Sequence, residues 1–553
     1  MPVVRTLLPR ILGLIGIDDV DRLRDVLFNL KCETEIEEDG TIAIEVQSDR
    51  IDMFSTEGIA YAARLYLGLE KPKMFNVTSI DFDVYVEPPI KRPYIAIAAV
   101  RNVEMDEYIL KELIEFQERL HTTFGRNRRK VAIGIHDLDK LPSKTLRYLY
   151  VDIDREKMIP LHTSEVMTIR EVLNRLDQGK LYGDISLDGN MHPAIFSGNE
   201  IISLPPVINS DITRLEPSTR NILIDVTGID INAIKIVLNA IIHSLVFYGG
   251  SIIGARIIYP NYTDYTPDLT WRKRSVDTEY ASMWLGIEKK EIILKARDAL
   301  TRMGYIVEKI DETSIDVLVP PYRADILHQV DIVEDIAIGI GYDALGIEAI
   351  PPVYRYGVDR YRVVSNIVRD VLIGLGYTEI NTLTILPSKI LDLIQQGEYL
   401  RIVNPISSEI DAIRNSMVAS ILLVLRESQH TPLPIKIFEV GEVVTKCLEC
   451  YNRWRNEFRC VFALMDSEIR FEEIHADLFA VLRELGIERN ISIHSCSNPI
   501  YISGRCGCIE MNNRVIGVFG EVNPEILEKL GIEYPIAIVE LYLEPIIDVL
   551  YGK

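Results

Sequence analysis

Pro320-Pro-Tyr-Arg-Ala-Asp-Ile-Leu-His-Gln-Val-Asp-Ile-Val-Glu-Asp-Ile-Ala-Ile-Gly-Ile-Gly-Tyr342 is the most informative stretch of this chain. The paired prolines interrupt whatever precedes them, and Asp325 is placed to cap a helix that starts beyond it. On that helix Asp331, Glu334 and Asp335 fall at i, i+3 and i+4, so their carboxylates share a face. Ile332, Val333, Ile336, Ala337 and Ile340 fall on the opposite face, where a core would bury them. Like charges at this spacing repel by about 0.2–0.5 kcal/mol per pair. Two readings answer that repulsion: a solvated face favoured by the helix dipole, or a hard cation such as Mg²⁺ held by oxygen ligands. Leu327 and Ile338 border the acids, and a mixed acidic and apolar face suggests a protein interface.

Outward from this segment, residues 264–345 alternate strand and helix and form one small block. Residues 84–260 form a larger one, in which strands outnumber helices. It holds the strand-like Tyr94-Ile-Ala-Ile-Ala-Ala-Val, an amphipathic helix over 106–121, and Asn221-Ile-Leu-Ile-Asp-Val-Thr227. Residues 1–80 read as an N-terminal α/β module: a helix over 18–30, a strand over 41–46, then a helix opened by Ser55. The looser stretch from Asn76 to Asp83 is expected to be a linker. Residues 351–553 make the last block, with a long helix over 361–375 and the strand Lys436-Ile-Phe-Glu-Val-Gly-Glu-Val-Val444.

Composition narrows the function. The chain has 553 residues, of which 48% are hydrophobic and 26% charged, the balance of a globular multidomain protein. Its formal charge of −22 excludes a non-specific nucleic-acid coat, so any RNA contact has to use a local patch. Arg126, Arg128, Arg129 and Lys130, or Arg272, Lys273 and Arg274, are candidate phosphate-binding clusters, with solvated basic turns as the alternative. Seven cysteines do not make a disulfide framework, and Cys447 and Cys450 are expected to be reduced thiols rather than zinc ligands. Residues 1–17 resemble a leader only faintly, and 231–259 reads as a buried helix and strand too broken to span a bilayer. The expectation is a cytoplasmic protein without membrane contact.

Two further constellations carry chemistry. His136, Asp137 and Asp139, with His121 upstream, could hold a metal in a hydrolase or form a satisfied turn network. Asp225 and Thr227 point the same way along a strand. With Ser203-Leu-Pro-Pro-Val-Ile-Asn-Ser210, including Ser203 and Asn209, they could line a pocket for an amine and a hydroxyl, or lie on an outward sheet face. No P-loop, dinucleotide-binding glycine motif, HExxH or GxSxG occurs, so no recognised device holds ATP phosphates.

The opening segment, taken with Asp49-Arg-Ile-Asp-Met-Phe-Ser-Thr-Glu-Gly-Ile59, Ile133-Gly-Ile-His-Asp-Leu-Asp139 and Phe519-Gly-Glu-Val-Asn-Pro-Glu-Ile-Leu527, resembles phenylalanyl-tRNA synthetase beta chains of the shorter archaeal/eukaryotic type. The matches run in family order across almost the whole chain. The resemblance implies an α+β multidomain fold with a tRNA-editing domain at 84–260 and a Mg²⁺-binding module at 264–345. It makes residues 351–553 a degenerate class II synthetase-like antiparallel sheet core without adenylation residues. It implies Asp325, Asp331, Glu334 and Asp335 as Mg²⁺ ligands at a site shared with an alpha chain. It also implies an (αβ)₂ heterotetramer whose alpha subunit uses ATP to charge tRNA(Phe), while this chain hydrolyses mischarged Tyr-tRNA(Phe). Ser203, Asn209, Asp225 and Thr227 fall where that editing pocket is expected. The alternatives are a tRNA-binding scaffold with a silent pocket and a stand-alone metal-dependent hydrolase using His136 and Asp139.

Overall fold

Local signals start many of the helices where they are expected. Ser55 accepts the backbone N–H of Gly58 and opens the helix Thr56–Tyr66. Asp106 and Asp230 cap Glu107–Thr122 and Ile231–Val246 in the same way. The weakly leader-like start is a strand, Val3–Leu7, and a helix, Leu8–Ile15, which buries Ile11 and Ile15. The computed structural model describes residues 2–347, 349–350, 352, 357–395 and 397–552. They divide into two units, residues 1–349 and 350–553. The expected boundary at Pro351 lies outside the described residues.

The first unit is α+β and is organised by a ten-stranded sheet. Along it run Ile208–Asn209, Glu200–Leu204, Met191–Ser197, Thr145–Asp152, Val77–Val86, Ser251–Ile258, Tyr94–Arg101, Ile222–Gly228 and Val131–Asp137, with Thr263–Thr266 paired onto Ser251–Ile258. Val77–Val86 corrects the expected linker at 76–83: it is a central strand, parallel to both neighbours. Half-buried Ser79, Asp81 and Asp83 alternate with Ile80, Phe82 and Val84, and Phe82, Val84 and Val86 are buried. The pairing that buries them comes from strands distant in sequence.

One face of the sheet packs Ile222, Ile224, Val226, Ile133 and Ile135 beneath the helices Glu107–Thr122 and Ile231–Val246. The other face carries Ile95, Ile97 and Leu223 into a second core with Tyr148, Ile195 and Ile202. The sheet curls so that its two ends meet: Asn209 Nδ2, on one end strand, donates to the carbonyl of Ile135, on the other, at 3.3 Å.

A buried carboxylate pair ties the N-terminal segment to this body. Arg10 bridges Glu57 and Glu112 at 3.5 and 2.9 Å. Glu57 also accepts from Tyr248 and Ser244, and Glu112 from Thr6 and Thr56.

The second unit is built on a seven-stranded sheet. Its order is Thr378–Glu379, Ile435–Lys446, Trp454–Met465, Ile536–Tyr542, Arg514–Val522, Tyr501–Met511 and Ile491–Ser495. All neighbours are antiparallel except the first pair. At the turn between Ile435–Lys446 and Trp454–Met465, Cys447 and Cys450 form a disulfide, which corrects the expectation of reduced thiols for this pair. The turn brings their Cα atoms to 5.4 Å, within bridging range. Among the described residues no helix is long and apolar enough to cross a membrane.

Candidate functional site

Asp225 lies in the middle of Ile222–Gly228, opposite Ile97 on one side and Gly134 on the other. Its carboxylate is buried and accepts from His136 Nε2 at 2.8 Å. With that nitrogen donating, Nδ1 is left to accept the Thr213 hydroxyl at 2.7 Å. Gly134 makes this geometry possible: a Cβ there would stand 1.9 Å from Asp225 Oδ2. A glycine inside the apolar run Val-Ala-Ile-Gly-Ile was the sequence signal for such a close approach.

Thr227 lies on the same face two residues on, so both side chains point inward and the outward-face alternative is excluded. Its carbonyl accepts from Arg92 at 2.9 Å, with the hydroxyl 3.5 Å from the same nitrogen. Arg92 is fully buried, and its other donors go to the Ser186 hydroxyl and the Arg128 carbonyl. Burial pushes its guanidinium down to about 10, against the opposing influence of Tyr148 and Asp225. No pattern in the sequence marked this arginine.

Ser203 and Asn209 sit on the hairpin at the other end of the sheet. The Ser203 hydroxyl donates to Asn209 Oδ1 at 3.0 Å, and the Asn209 contact to Ile135 fastens this hairpin against the strand that carries His136. The sheet therefore gathers all four pocket candidates around its seam, with Ser203, Asp225 and Thr227 buried and Asn209 half-buried.

Arg128 makes a second fastening. It donates to the carbonyls of Pro206 and Val207 at 3.1 Å, reaches Glu118 at 2.7 Å, and stacks over Tyr182. Lys130 pairs with Asp230 and lies over Phe124. Of the four basic residues of that turn, Arg126 and Arg129 are exposed and Arg128 and Lys130 are half-buried. In the second basic cluster Arg272 donates to the Arg323 carbonyl and Lys273 pairs with Glu308, while Arg274 is exposed.

The metal-hydrolase constellation is not brought together. His136 turns to Asp225, while Asp137 accepts the Thr219 hydroxyl and Asp139 holds the Asn221 amide. His121 accepts the Ile133 N–H on Nε2 and contacts Glu118 through Nδ1, and burial lowers its pKa.

The acidic segment also differs from its expectation. The helix is Gln329–Ile340, starting after His328 rather than after Asp325. Asp331 does the capping: its Oδ2 accepts the N–H groups of Leu327 and His328 at 2.8 and 2.7 Å. Asp325 instead takes a two-pronged contact from the buried Arg323, at 2.8 and 2.6 Å. Asp335 turns inward, off the expected shared face, to Arg323 at 2.7 Å and the Tyr305 hydroxyl at 2.5 Å. Glu334 reaches Lys31 at 3.1 Å. Of the two apolar residues expected to border the acids, Ile338 is buried and Leu327 is exposed. Burial alone would raise the Asp325 carboxyl, but Arg323 and Arg50 hold it down to about 2. Among the described residues no three His, Cys, Asp or Glu side chains converge on a metal-sized point. The four carboxylates as arranged do not fit a bound Mg²⁺, because Arg323 already supplies the counter-charge to two of them and capping consumes a third.

Comparison with known proteins sets these sites in a family. The family described as tRNA synthetase B5 domain matches residues 274–342, and that described as phenylalanyl tRNA synthetase beta chain CLM domain matches 349–543. A phenylalanine-tRNA ligase beta subunit from Sulfurisphaera tokodaii is 38% identical over 100% of both chains. One from Saccharolobus solfataricus is 39% identical over 97% of both. A solved N-terminal fragment of the phenylalanyl-tRNA synthetase beta subunit from Pyrococcus horikoshii is 32% identical, with a TM-score of 0.58, and covers 62% of this chain and 100% of its own. Similarity of this extent, end to end, means that the chain belongs to the phenylalanine-tRNA ligase beta-subunit family and is an aminoacyl-tRNA ligase subunit.

Proposed function

We propose that this chain acts in the cytoplasm as the β partner in an (αβ)₂ heterotetramer. The α subunit uses ATP to charge tRNA(Phe) with phenylalanine, and residues 84–260 of this chain hydrolyse Tyr-tRNA(Phe). The observation that carries the editing reading is the buried Asp225 carboxylate, oriented by His136 in the space left by Gly134. A fixed carboxylate can hold the free ammonium of an aminoacyl group, and the Ser203, Asn209 and Thr227 side chains supply hydrogen-bonding partners for a phenolic hydroxyl. Discrimination by hydroxyl needs such polar groups, because an apolar pocket rejects an added hydroxyl only about a hundredfold. Residues 351–553 act in this reading as a class II-like core that supports the α subunit without adenylation chemistry. Their largely antiparallel sheet is compatible with that role.

Burial of Asp225 and Thr227 favours one competing reading, a scaffold whose pocket is silent. Access for a substrate requires the 203–210 hairpin to lift from Arg128 and Ile135. The deciding experiment is deacylation of Tyr-tRNA(Phe) by the assembled α–β complex, wild type against an Asp225→Ala, Thr227→Ala double variant. Editing requires hydrolysis by wild type, loss in the variant, and survival of Phe-tRNA(Phe) synthesis in both. Normal charging with no hydrolysis by either identifies the scaffold.

A further inference from the structure

Arg126, Asn127 and Arg128 stand at φ of 52°, 52° and 65°, three successive residues in the left-handed region that a Cβ disfavours. Such a run persists only where its surroundings hold it, and strain of this kind gathers at working parts of a structure. Here the Arg128 N–H donates to the His121 carbonyl at 3.1 Å, and the Lys130 N–H to the Gly125 carbonyl at 2.9 Å. The result is the placement of one side chain. Arg128 Nη1 donates to the carbonyls of Pro206 and Val207, both at 3.1 Å, at the tip of the hairpin formed by Glu200–Leu204 and Ile208–Asn209.

That contact is most of what fastens the hairpin across the seam. Among the described residues three hydrogen bonds join residues 200–210 to residues 125–137: the two from Arg128, and the longer one from Asn209 to Ile135. Just beyond the hairpin, the Thr213 hydroxyl lies 2.7 Å from His136. The Arg128 carbonyl accepts from Arg92, which also holds the Thr227 carbonyl. Arg128 therefore reaches the hairpin through its side chain and, by way of Arg92, the strand Ile222–Gly228 through its backbone.

This fastening leaves room for a better partner. Arg128 Nε is buried without a partner, its two hairpin acceptors are neutral carbonyls, and half-buried Glu118 is shared with His121. A phosphate takes a guanidinium in a fork, with charge-assisted bonds about twice as strong as neutral ones. Beside Arg128, Arg126 and Arg129 are exposed, and among the described residues neither forms an ion pair. On a chain of net charge −22, two unpaired guanidinium groups mark a point where a polyanion can approach. We propose that Arg128 is a latch on the 203–210 hairpin, and that an RNA backbone phosphate caught by Arg126 and Arg129 draws it off the Pro206 and Val207 carbonyls. The hairpin is then free to lift from Asp225 and Thr227. The latch rests on the editing reading for its use, though not for its mechanics.

The test is amide hydrogen exchange of the full chain, read by mass spectrometry over residues 200–210, with and without uncharged tRNA(Phe). The Val207 and Ser210 amides, bonded to the Leu204 and Ile202 carbonyls, report on the hairpin. Arg128→Met keeps an apolar stem beside Tyr182 and removes both carbonyl contacts, so their exchange should rise by about tenfold or more. Arg128→Lys, with a point charge in place of a fork, should fall between. Protection of Tyr94–Arg101 is the control for folding, and the wild-type arm decides should Arg128→Met lose it. In wild type, tRNA(Phe) is expected to speed exchange at the hairpin several-fold, and the Arg126→Ala, Arg129→Ala double variant to lose that response. Unchanged hairpin exchange in a folded Arg128→Met, no acceleration by tRNA(Phe) in wild type, or an equal response in the double variant would each overturn the proposal. None of these readouts needs hydrolysis, so a complex that fails to deacylate Tyr-tRNA(Phe) counts against the editing reading alone.

Discussion

His136 Nε2 lies 2.8 Å from Asp225 Oδ2, although the two residues are 89 positions apart. The imidazole is the donor that keeps this buried carboxylate in place, and its other nitrogen is fixed in turn by Thr213. Removing the ring leaves a desolvated charge without a partner. His136→Ala is therefore expected to destabilise the first unit by roughly 3–5 kcal/mol, read from urea unfolding. A loss below about 1 kcal/mol would mean that the contact does not bear on the carboxylate.

Gly134→Ala tests the same arrangement from the other side. The added methyl would stand 1.9 Å from Asp225 Oδ2 and 2.9 Å from His136 Nε2, so the pair has to separate. The expected cost is about 1–3 kcal/mol of stability, as for overpacking in a filled core. Under the editing proposal, Tyr-tRNA(Phe) hydrolysis falls while phenylalanine charging by the complex is retained. Unimpaired hydrolysis would count against Asp225 as the recognition group.

Arg323 stands where a cation is needed between Asp325 and Asp335. Arg323→Met is expected to unfold the acidic module, at a cost of roughly 3–5 kcal/mol, because both carboxylates lose the one cation among the described residues in direct contact with them and keep only the more distant Arg50. Chelation of divalent metal with EDTA is expected to leave the melting temperature of the isolated chain unchanged. A clear drop on chelation would show that metal, rather than Arg323, holds these acids.

The Glu57–Glu112 pair gives a pH dependence. Burial, then the neighbouring Glu112, raises the Glu57 pKa above its ordinary value of 4.5. For a carboxyl raised on folding, the associated stability is present below the unfolded-state pKa and is lost as pH rises through the folded one. Glu57→Gln cannot ionise; its amide oxygen can still accept from Tyr248, and its NH₂ can donate to the Ser244 hydroxyl, which then acts as acceptor. It should be less sensitive to pH from 4.5 upward and, at pH 7, equal to or more stable than wild type. Parallel slopes in urea unfolding across that range would remove Glu57 as the source.

What can be read residue by residue was legible in the sequence. Alternation marked the strand Thr41–Glu45, short apolar runs marked Tyr94–Arg101 and Ile222–Gly228, and capping side chains at Ser55 and Asp106 marked where helices begin. These signals are local, because side-chain direction and the first turn of a helix depend on only a few neighbouring residues. The motif order carried the family for the same reason, and it is matched by full-length relatives. Tertiary structure alone decided the partners. It turned His136 from Asp139 to Asp225, placed Val77–Val86 between two parallel neighbours, and set Arg323 among the acids of the helix segment. Each of those outcomes depends on which distant strand or helix arrives and on how much water its arrival removes. The spacing of residues along the chain contains neither quantity.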